Sequence, residues 1–304
     1  MILVAGEALY DLVVQGDSDD LNGHPGGGPF NTARTIGRLE QPVAYLGRMS
    51  EDRFGERMVG LLAEDGVDLR SIVRTNEPTT LALAEVDRDG VARYRFYERG
   101  TSASGLETEA ALAAVPDEVD YLHVGTLGLM LEPVASAVEA VVERLAGRAL
   151  IAIDPNIRPW VLDDAEAYRA RLRRVLAHSH VVKVSQEDLD WLYPDLPHVE
   201  GIRELLEQGP TVGLLTRGPN GALVVTRTAE VAVPAPRAKV VDTIGAGDAF
   251  GGGFLAWWSE RGLTSEDLGT IDLTVEATAF ACLVAARTCS RPGADPPHRS
   301  ELPS

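Results

Sequence analysis

Between Tyr121 and Leu215, short apolar runs alternate with longer stretches of helical periodicity, and this alternation limits the fold more than any other feature of the chain. Tyr121–Val124, Ala149–Asp154, Val181–Ser185 and Val212–Thr216 are the apolar runs. A strand apolar on both sides needs cover on both faces, and repeated strand–helix–strand units close as a parallel sheet with crossover helices. The prediction is an α/β fold, a mostly parallel central sheet with helices on both faces. Met1–Ala5 and Val43–Gly47 read as further strands of it. Arg53–Glu64, Glu132–Leu145, Gln186–Leu192 and Ile271–Arg287 read as helices. With 304 residues the chain can bury a large core, as one domain over 1–304 or a domain with a small appendage.

One passage breaks the alternation. Leu81–Val86 and Val91–Tyr97 flank Asp87-Arg-Asp-Gly90, a strong hairpin signal. Residues alternate across a strand, so in Arg93–Tyr97 one set can face a ligand while the other faces solvent. Together with the extended run Tyr10–Val14, this predicts a small β-lid built from segments near 10–16 and 79–98.

Charge and cysteine content exclude several classes. A formal net charge of −18 argues against nucleic acid or an anionic membrane as the main partner. Cys282 and Cys289 are too few for a disulfide framework or a metal cluster. No apolar run is long enough to span a bilayer and no leader-like segment opens the chain, so a cytoplasmic protein is expected.

The chemistry points to Val241–Gly253. A valine-rich segment enters this stretch and an apolar helical run from Ala249 to Trp258 leaves it. Gly245 and Gly247 let the backbone turn tightly and let a bulky anion approach bare N–H groups. The first N–H groups of a helix lack internal partners, and the helix dipole adds positive potential there. Asp248 stands at the same helix start, where an ionised carboxylate is favoured. A base beside an anion hole suits phosphoryl transfer to a hydroxyl group, with the amides of Gly245, Ala246 and Gly247 stabilising the charge in flight. The plainer alternative is a capped tight turn. Elsewhere, Asp11 is placed to accept hydrogen bonds from a ligand just past the first strand end, where α/β sheets collect their ligands. Gly26–Gly28 lead through Pro29 into a helix over Phe30–Leu39; bare backbone at Gly27 and Gly28, with Asn31 as donor and acceptor, suits a polyol better than a phosphate.

Asp242–Phe250 resembles the C-terminal signature of the ribokinase-like (PfkB) carbohydrate kinases, and Gly26–Ala33 resembles that family's second signature. Weaker matches between them extend the resemblance over nearly the whole chain. It implies a ribokinase-like fold, with Asp11 on sugar hydroxyls and a lid strand that carries Tyr94 and Phe96 over the sugar and offers a homodimer contact. Asp154-Pro-Asn-Ile-Arg-Pro159 resembles the fructokinase and ketodeoxygluconate-kinase branch, which implies that Arg158 reaches the sugar or the transferred phosphate. The nucleotide side would use Lys183 and Ser185, and the turn of Thr216, Arg217, Gly218 and Gly221, whose plainer alternative is a hairpin loop. Where many family members carry Asn-x-x-Glu acting on magnesium-bound water, this chain has Ser185 and Asp188. Carbonyls near Asp242, Ile244, Thr288, Arg291 and Gly293 would hold a monovalent cation. The expected activity is an ATP-dependent sugar kinase with magnesium and potassium, fructose being the favoured substrate. 2-Keto-3-deoxygluconate, ribose or a nucleoside are the alternatives, and a non-catalytic sugar-binding regulator is the rival from another class. The chain has no P-loop lysine motif, and Phe250 stands where a dinucleotide fingerprint needs its third glycine.

Overall fold

Each apolar run read from the sequence is a strand in the computed structural model, which describes residues 1–15, 21–86 and 92–303. The strands are β1 (Ile2–Ala5), β2 (Leu9–Gln15), β3 (Asn22–Gly26), β4 (Val43–Ser50), β5 (Ile72–Thr75), β6 (Leu81–Val86) and β7 (Ala92–Tyr97). They continue with β8 (Tyr121–Gly125), β9 (Leu150–Asp154), β10 (Val181–Ser185), β11 (Val212–Thr216), β12 (Ala222–Val225) and β13 (Glu230–Val233). Among the described residues, nine of these form one sheet in the order β13-β12-β11-β10-β9-β8-β1-β4-β5. It is parallel from β5 to β11, while β12 runs antiparallel to both of its neighbours.

Side-chain alternation divides the interior into two layers. Leu3 and Ala5 of β1, Leu122 and Val124 of β8, and Ile151 and Ile153 of β9 face the helices Val134–Leu145, Ala165–Leu176 and His198–Leu206. Ile2, Val4, Tyr121, Leu150 and Ala152 face the helices Gly28–Arg38, Arg53–Glu64, Ala246–Glu260 and Ile271–Thr288. This is the two-faced burial that continuous apolar strands require. No helix among the described residues is long and apolar enough to cross a membrane.

A second, four-stranded sheet has the order β3-β2-β6-β7, with β2 and β6 parallel and the other pairs antiparallel. The predicted pairing of the two hairpin strands is present, from Leu81↔Tyr97 to Val86↔Ala92. The turn over Asp87–Gly90 lies outside the described residues, as do the side chains of Arg93 and Tyr94. The lid segments near 10–16 and 79–98 are joined by β3, which the sequence did not announce. Asn-Gly-His-Pro-Gly is poor strand material, and such a sequence is tolerated at a sheet edge because Pro25 need not donate to a second neighbour.

The extended run Tyr10–Val14 is part of β2, and Asp11 lies within it, opposite His24 and Ala82. The valine-rich entry to the glycine turn is irregular, with Val240 and Val241 exposed, at 61% and 55%. Asp52 caps the helix Arg53–Glu64 by accepting from Gly55 N–H at 2.9 Å, and it accepts from the Thr79 hydroxyl at 2.6 Å. Cys282 and Cys289 are both free thiols.

Candidate active site

In an open parallel sheet, ligands gather beyond the carboxyl ends of the strands where the strand order changes direction. Here β1 lies between β4 and β8, with the later strands β9 to β11 continuing beyond β8. Glu7 follows β1, Thr126 follows β8, Asp154 ends β9, and Lys183 and Ser185 lie at the end of β10. The glycine turn meets this edge from the helix Ala246–Glu260.

Gly245 caps that helix in the left-handed region at φ 75°, where a side chain would be strained, and a β-carbon there would come within 2.6 Å of Ala294. The Ala246 N–H donates to the Thr243 carbonyl at 3.2 Å and so closes the turn. The amides of Gly245 and Gly247 have no hydrogen-bond partner among the described residues. The expected anion hole is therefore narrowed from three amides to these two. Asp248 lies in the first helical turn, and its Oδ2 accepts from Asn31 Nδ2 at 2.8 Å across 217 positions of sequence. The Thr32 hydroxyl donates to the Asp248 carbonyl at 3.3 Å. Gly28 belongs to the same corner, since a β-carbon on it would meet Thr126 Cγ2 at 2.6 Å and Asp248 Oδ1 at 3.3 Å.

Burial pushes the Asp248 carboxyl up to about 6; the Asn31 hydrogen bond and the Lys183 and Arg158 charges oppose the rise, while Asp154 adds to it. Asp11 is likewise pushed up to about 6, by burial and then by the Asp248 charge, with Arg158 opposing. Asp248 is still mostly ionised at pH 7, although burial works against the helix start that favours its charge. A carboxyl with its pKa near the working pH is suited to act as a general base. The Asp11 carboxylate fills the space beside Gly26, where a β-carbon would come within 2.1 Å of Oδ2.

Lys183, expected on the nucleotide side, is pinned in place. Its ammonium is buried, donates to Asp154 Oδ2 at 2.6 Å, and would meet a β-carbon on Gly247 at 2.9 Å. Burial alone would lower its pKa, but Asp154, Asp188 and Asp248 raise it, so the cation is fixed beneath the glycine turn. The other oxygen of Asp154, Oδ1, is buried without a hydrogen-bond partner. Arg158 donates to Asn156 Oδ1 at 2.7 Å, and Asn156 holds a left-handed φ of 38°. The stiff loop after β9 thereby aims the guanidinium toward Asp11 and Asp248, whose proton affinities it lowers.

Other predicted residues lie further out or have local duties. Asp188 is buried: Oδ1 accepts from Ile157 N–H at 2.7 Å, and Oδ2 accepts from the amide and the hydroxyl of Ser185, each at 2.8 Å. Ser185 and Asp188 form a capping box that ties the helix Gln186–Leu192 to the Arg158 loop. Thr216, Arg217, Gly218 and Gly221 form the connection of the antiparallel pair β11 and β12, as the hairpin reading of that turn expects. A β-carbon on Gly221 would come within 2.1 Å of the Val233 carbonyl, which makes glycine obligatory there. Thr216 is paired with Ser185, which puts this loop on the same sheet edge. Phe96 is half-buried in β7. At the remaining predicted set, Asp242 Oδ1 accepts from Ile244 N–H at 3.0 Å and Oδ2 from Gly293 N–H at 2.8 Å, joining two loops. Thr288 is buried at a helix end, its hydroxyl donating to the Val284 carbonyl at 3.0 Å, and the Arg291 side chain turns to Glu301.

Glu7, Asp154 and Thr126 were not singled out as functional from the sequence. Glu7 is 3% exposed and pushed up to about 7 by burial, against hydrogen bonds from Thr126, Gly128 and Gly28. The available signal was positional: a charged residue closing a fully apolar strand marks the edge where ligands bind. His123 is buried, and burial with the Lys183 charge lowers it to about 3, so it stays neutral near pH 7.

The model of the pfkB family carbohydrate kinases matches residues 1–300. A fructokinase of Rhizobium leguminosarum bv. trifolii is 37% identical over 259 residues, spanning 84% of this chain and 79% of that protein. Among solved structures, a fructokinase from Xylella fastidiosa with bound ATP superposes with a TM-score of 0.87 at 28% identity, covering 99% of this chain and 94% of its own. A fructokinase from Vibrio cholerae O395, bound to fructose, ADP and calcium ion, gives 0.84 at 27% identity, covering 96% and 94%.

Proposed function

The chain belongs to the pfkB family of carbohydrate kinases and is an ATP-dependent sugar kinase; we propose that its substrate is D-fructose, which it converts to fructose 6-phosphate. The observation that carries this reading is the Asp248 carboxylate, held by Asn31 at 2.8 Å beside the unpartnered amides of Gly245 and Gly247 and the buried Lys183 ammonium.

In the proposed step, Asp248 accepts the proton of the sugar hydroxyl. The oxygen bonds to the γ-phosphorus, the bond from that phosphorus to the bridging oxygen breaks, and ADP leaves. The Gly245 and Gly247 amides and Lys183 meet the charge on the transferring group. Asp11, Asn31, Arg158 and the bare backbone of Gly27 and Gly28 hold the sugar hydroxyls. Tyr94 and Phe96 lie on β7 of the small sheet, which serves as the lid and, through its β7 edge, as a homodimer contact. The loop of Thr216, Arg217, Gly218 and Gly221 holds the nucleotide phosphates, with Ser185 beside it.

A metal ion belongs with the nucleotide, and magnesium is our assignment. Magnesium is usually held by one or two carboxylates together with phosphates. Asp154, whose Oδ1 is buried without a partner, fits that description better than Asp188, whose oxygens already serve three donors. When bound, it neutralises phosphate charge. Potassium would be held where Asp242 joins its own loop to that of Gly293, near Ile244, Thr288 and Arg291. Ketodeoxygluconate, ribose or a nucleoside remain the competing substrates. The non-catalytic reading is disfavoured by an intact base and amide pair.

The test is ADP release with ATP, magnesium and potassium across a sugar panel. Release with fructose supports the assignment; release with only another sugar keeps the chemistry and replaces the substrate. The pH profile is a second expected result. Asp248 must be ionised to act, so kcat/KM should fall as pH drops through about 6. Asp11 titrates in the same range, so the acid limb should be steeper than one proton requires. Both groups have raised folded-state values, so their contribution to stability is full below the unfolded value of 3.8 and is lost as pH rises through about 6. Acid inactivation between pH 7 and 5 should therefore occur without a drop in Tm from these groups, which thermal scans at each pH would check.

A further inference from the structure

Three donors from two separate elements converge on the buried Glu7 carboxylate. Oε1 accepts from the Gly28 amide at 3.2 Å and from the Thr126 hydroxyl, and Oε2 accepts from the Gly128 amide at 2.9 Å. Gly28 opens the helix that carries Asn31, while Thr126 and Gly128 follow β8 on the other side of the strand crossing. Glu7 therefore joins the helix whose Asn31 holds Asp248 to the segment that follows β8.

Thr126 gives the arrangement a second, independent mark. It is β-branched and holds a φ of 51°, a region costly for such a residue and kept only where the surroundings over-determine it. Its hydroxyl is bound to Glu7, and its methyl group lies where a β-carbon on Gly28 would be, at 2.6 Å. The strained residue thus presses directly on the glycine assigned to the sugar.

We propose that Glu7 is a positioning residue for the sugar: its carboxylate locks the Gly27–Gly28 backbone and Thr126 at the spacing that seats the reacting hydroxyl against Asp248. It touches neither sugar nor nucleotide. The proposal rests on the sugar-kinase reading given above, with Gly28 at the sugar. Its consequence is selective. Loosening this contact disturbs the sugar wall and leaves the β10–β11 edge, where the nucleotide is assigned, in place. A residue that served only the core would lower stability and leave both KM values alone.

The experiment is steady-state kinetics with both substrates varied, on the wild type, Glu7→Gln, Thr126→Val and Thr126→Ser, with calorimetric sugar binding alongside. In Glu7→Gln an amide NH₂ replaces an oxygen that accepts from backbone or hydroxyl donors, so one buried donor is left facing another donor. The sugar KM and Kd should rise about tenfold or more, with the ATP KM held within about twofold. Thr126→Val keeps the branched shape and deletes the donor, so it should show the same split to a smaller degree, and Thr126→Ser should restore it. If Glu7→Gln does not fold, Thr126→Val decides alone. Unchanged sugar KM in folded Glu7→Gln or Thr126→Val, or equal increases for sugar and ATP, would overturn the proposal while leaving the kinase reading intact. A wild type that neither turns over nor binds any sugar of the panel would remove both.

Discussion

Asp248→Asn is expected to lower kcat by about 10²–10⁴-fold, the usual contribution of a general base, while sugar binding and the fold persist. The amide cannot take the hydroxyl proton, yet it has nearly the shape of the carboxylate and can still receive the Asn31 hydrogen bond, at 2.8 Å in the native site. Stability should hold or rise. The carboxyl has its pKa pushed up to about 6, so the ionised form is the one the fold disfavours at neutral pH, and the neutral amide escapes that cost. Kinetics and a thermal scan on the same preparation decide the matter. Near-normal turnover would remove Asp248 as the base, and lost turnover together with lost folding would leave its role structural.

Asp65→Ala is expected to be the most damaging change away from the reaction, at about 3–5 kcal/mol of folding free energy, the usual result of removing one partner from a buried ion pair. Asp65 receives Arg34 Nε at 2.6 Å and Arg38 Nε at 2.7 Å, and the side chains of Arg34 and Asp65 are only 7% and 4% exposed. Arg38 also reaches Asp295 at 2.6 Å and the Pro296 carbonyl at 2.6 Å. Without the carboxylate, Arg34 would keep a 3.4 Å contact to the Ala294 carbonyl and its place over the Phe30 ring at 5.7 Å, which do little for a buried cation. The same cluster holds Ala294 against Gly245, so kcat should fall modestly along with stability. Urea unfolding would measure the loss. A midpoint near the native one would mean that the arginines find solvent or other partners.

Much of the site was visible in the sequence because single local motifs carry it. The left-handed glycine cap, the carboxylate in the first helical turn and the proline at the start of the helix Gly28–Arg38 each follow from a few adjacent residues. Glu7 and Asp154 escaped notice because their position past or at the end of an apolar strand marks a ligand edge but does not show that three donors meet Glu7 or that Lys183 meets Asp154. The strand β3 escaped for a related reason, since its pairing with β2 and not its own composition makes it a strand. Lys183 was found, but its partner was not. Whether a lysine at a strand end swings free or is pinned depends on what the adjacent strand β9 presents at 2.6 Å.

The sequence by itself determined the parallel α/β layering, through apolar runs that need cover on both faces, and the anion-receptive turn before the helix Ala246–Glu260. Those properties depend on periodicity and on backbone freedom, which neighbouring residues encode. Only the tertiary structure decided that Asn31 holds Asp248, that Asp154 pins Lys183, and that Glu7 joins Gly28 to Thr126. It also decided the proton affinities, because burial and the charges of distant segments raise Asp11 and Asp248 to about 6. Such terms depend on through-space distance and on exclusion of water, and both exist only once the strand ends have been brought to one edge.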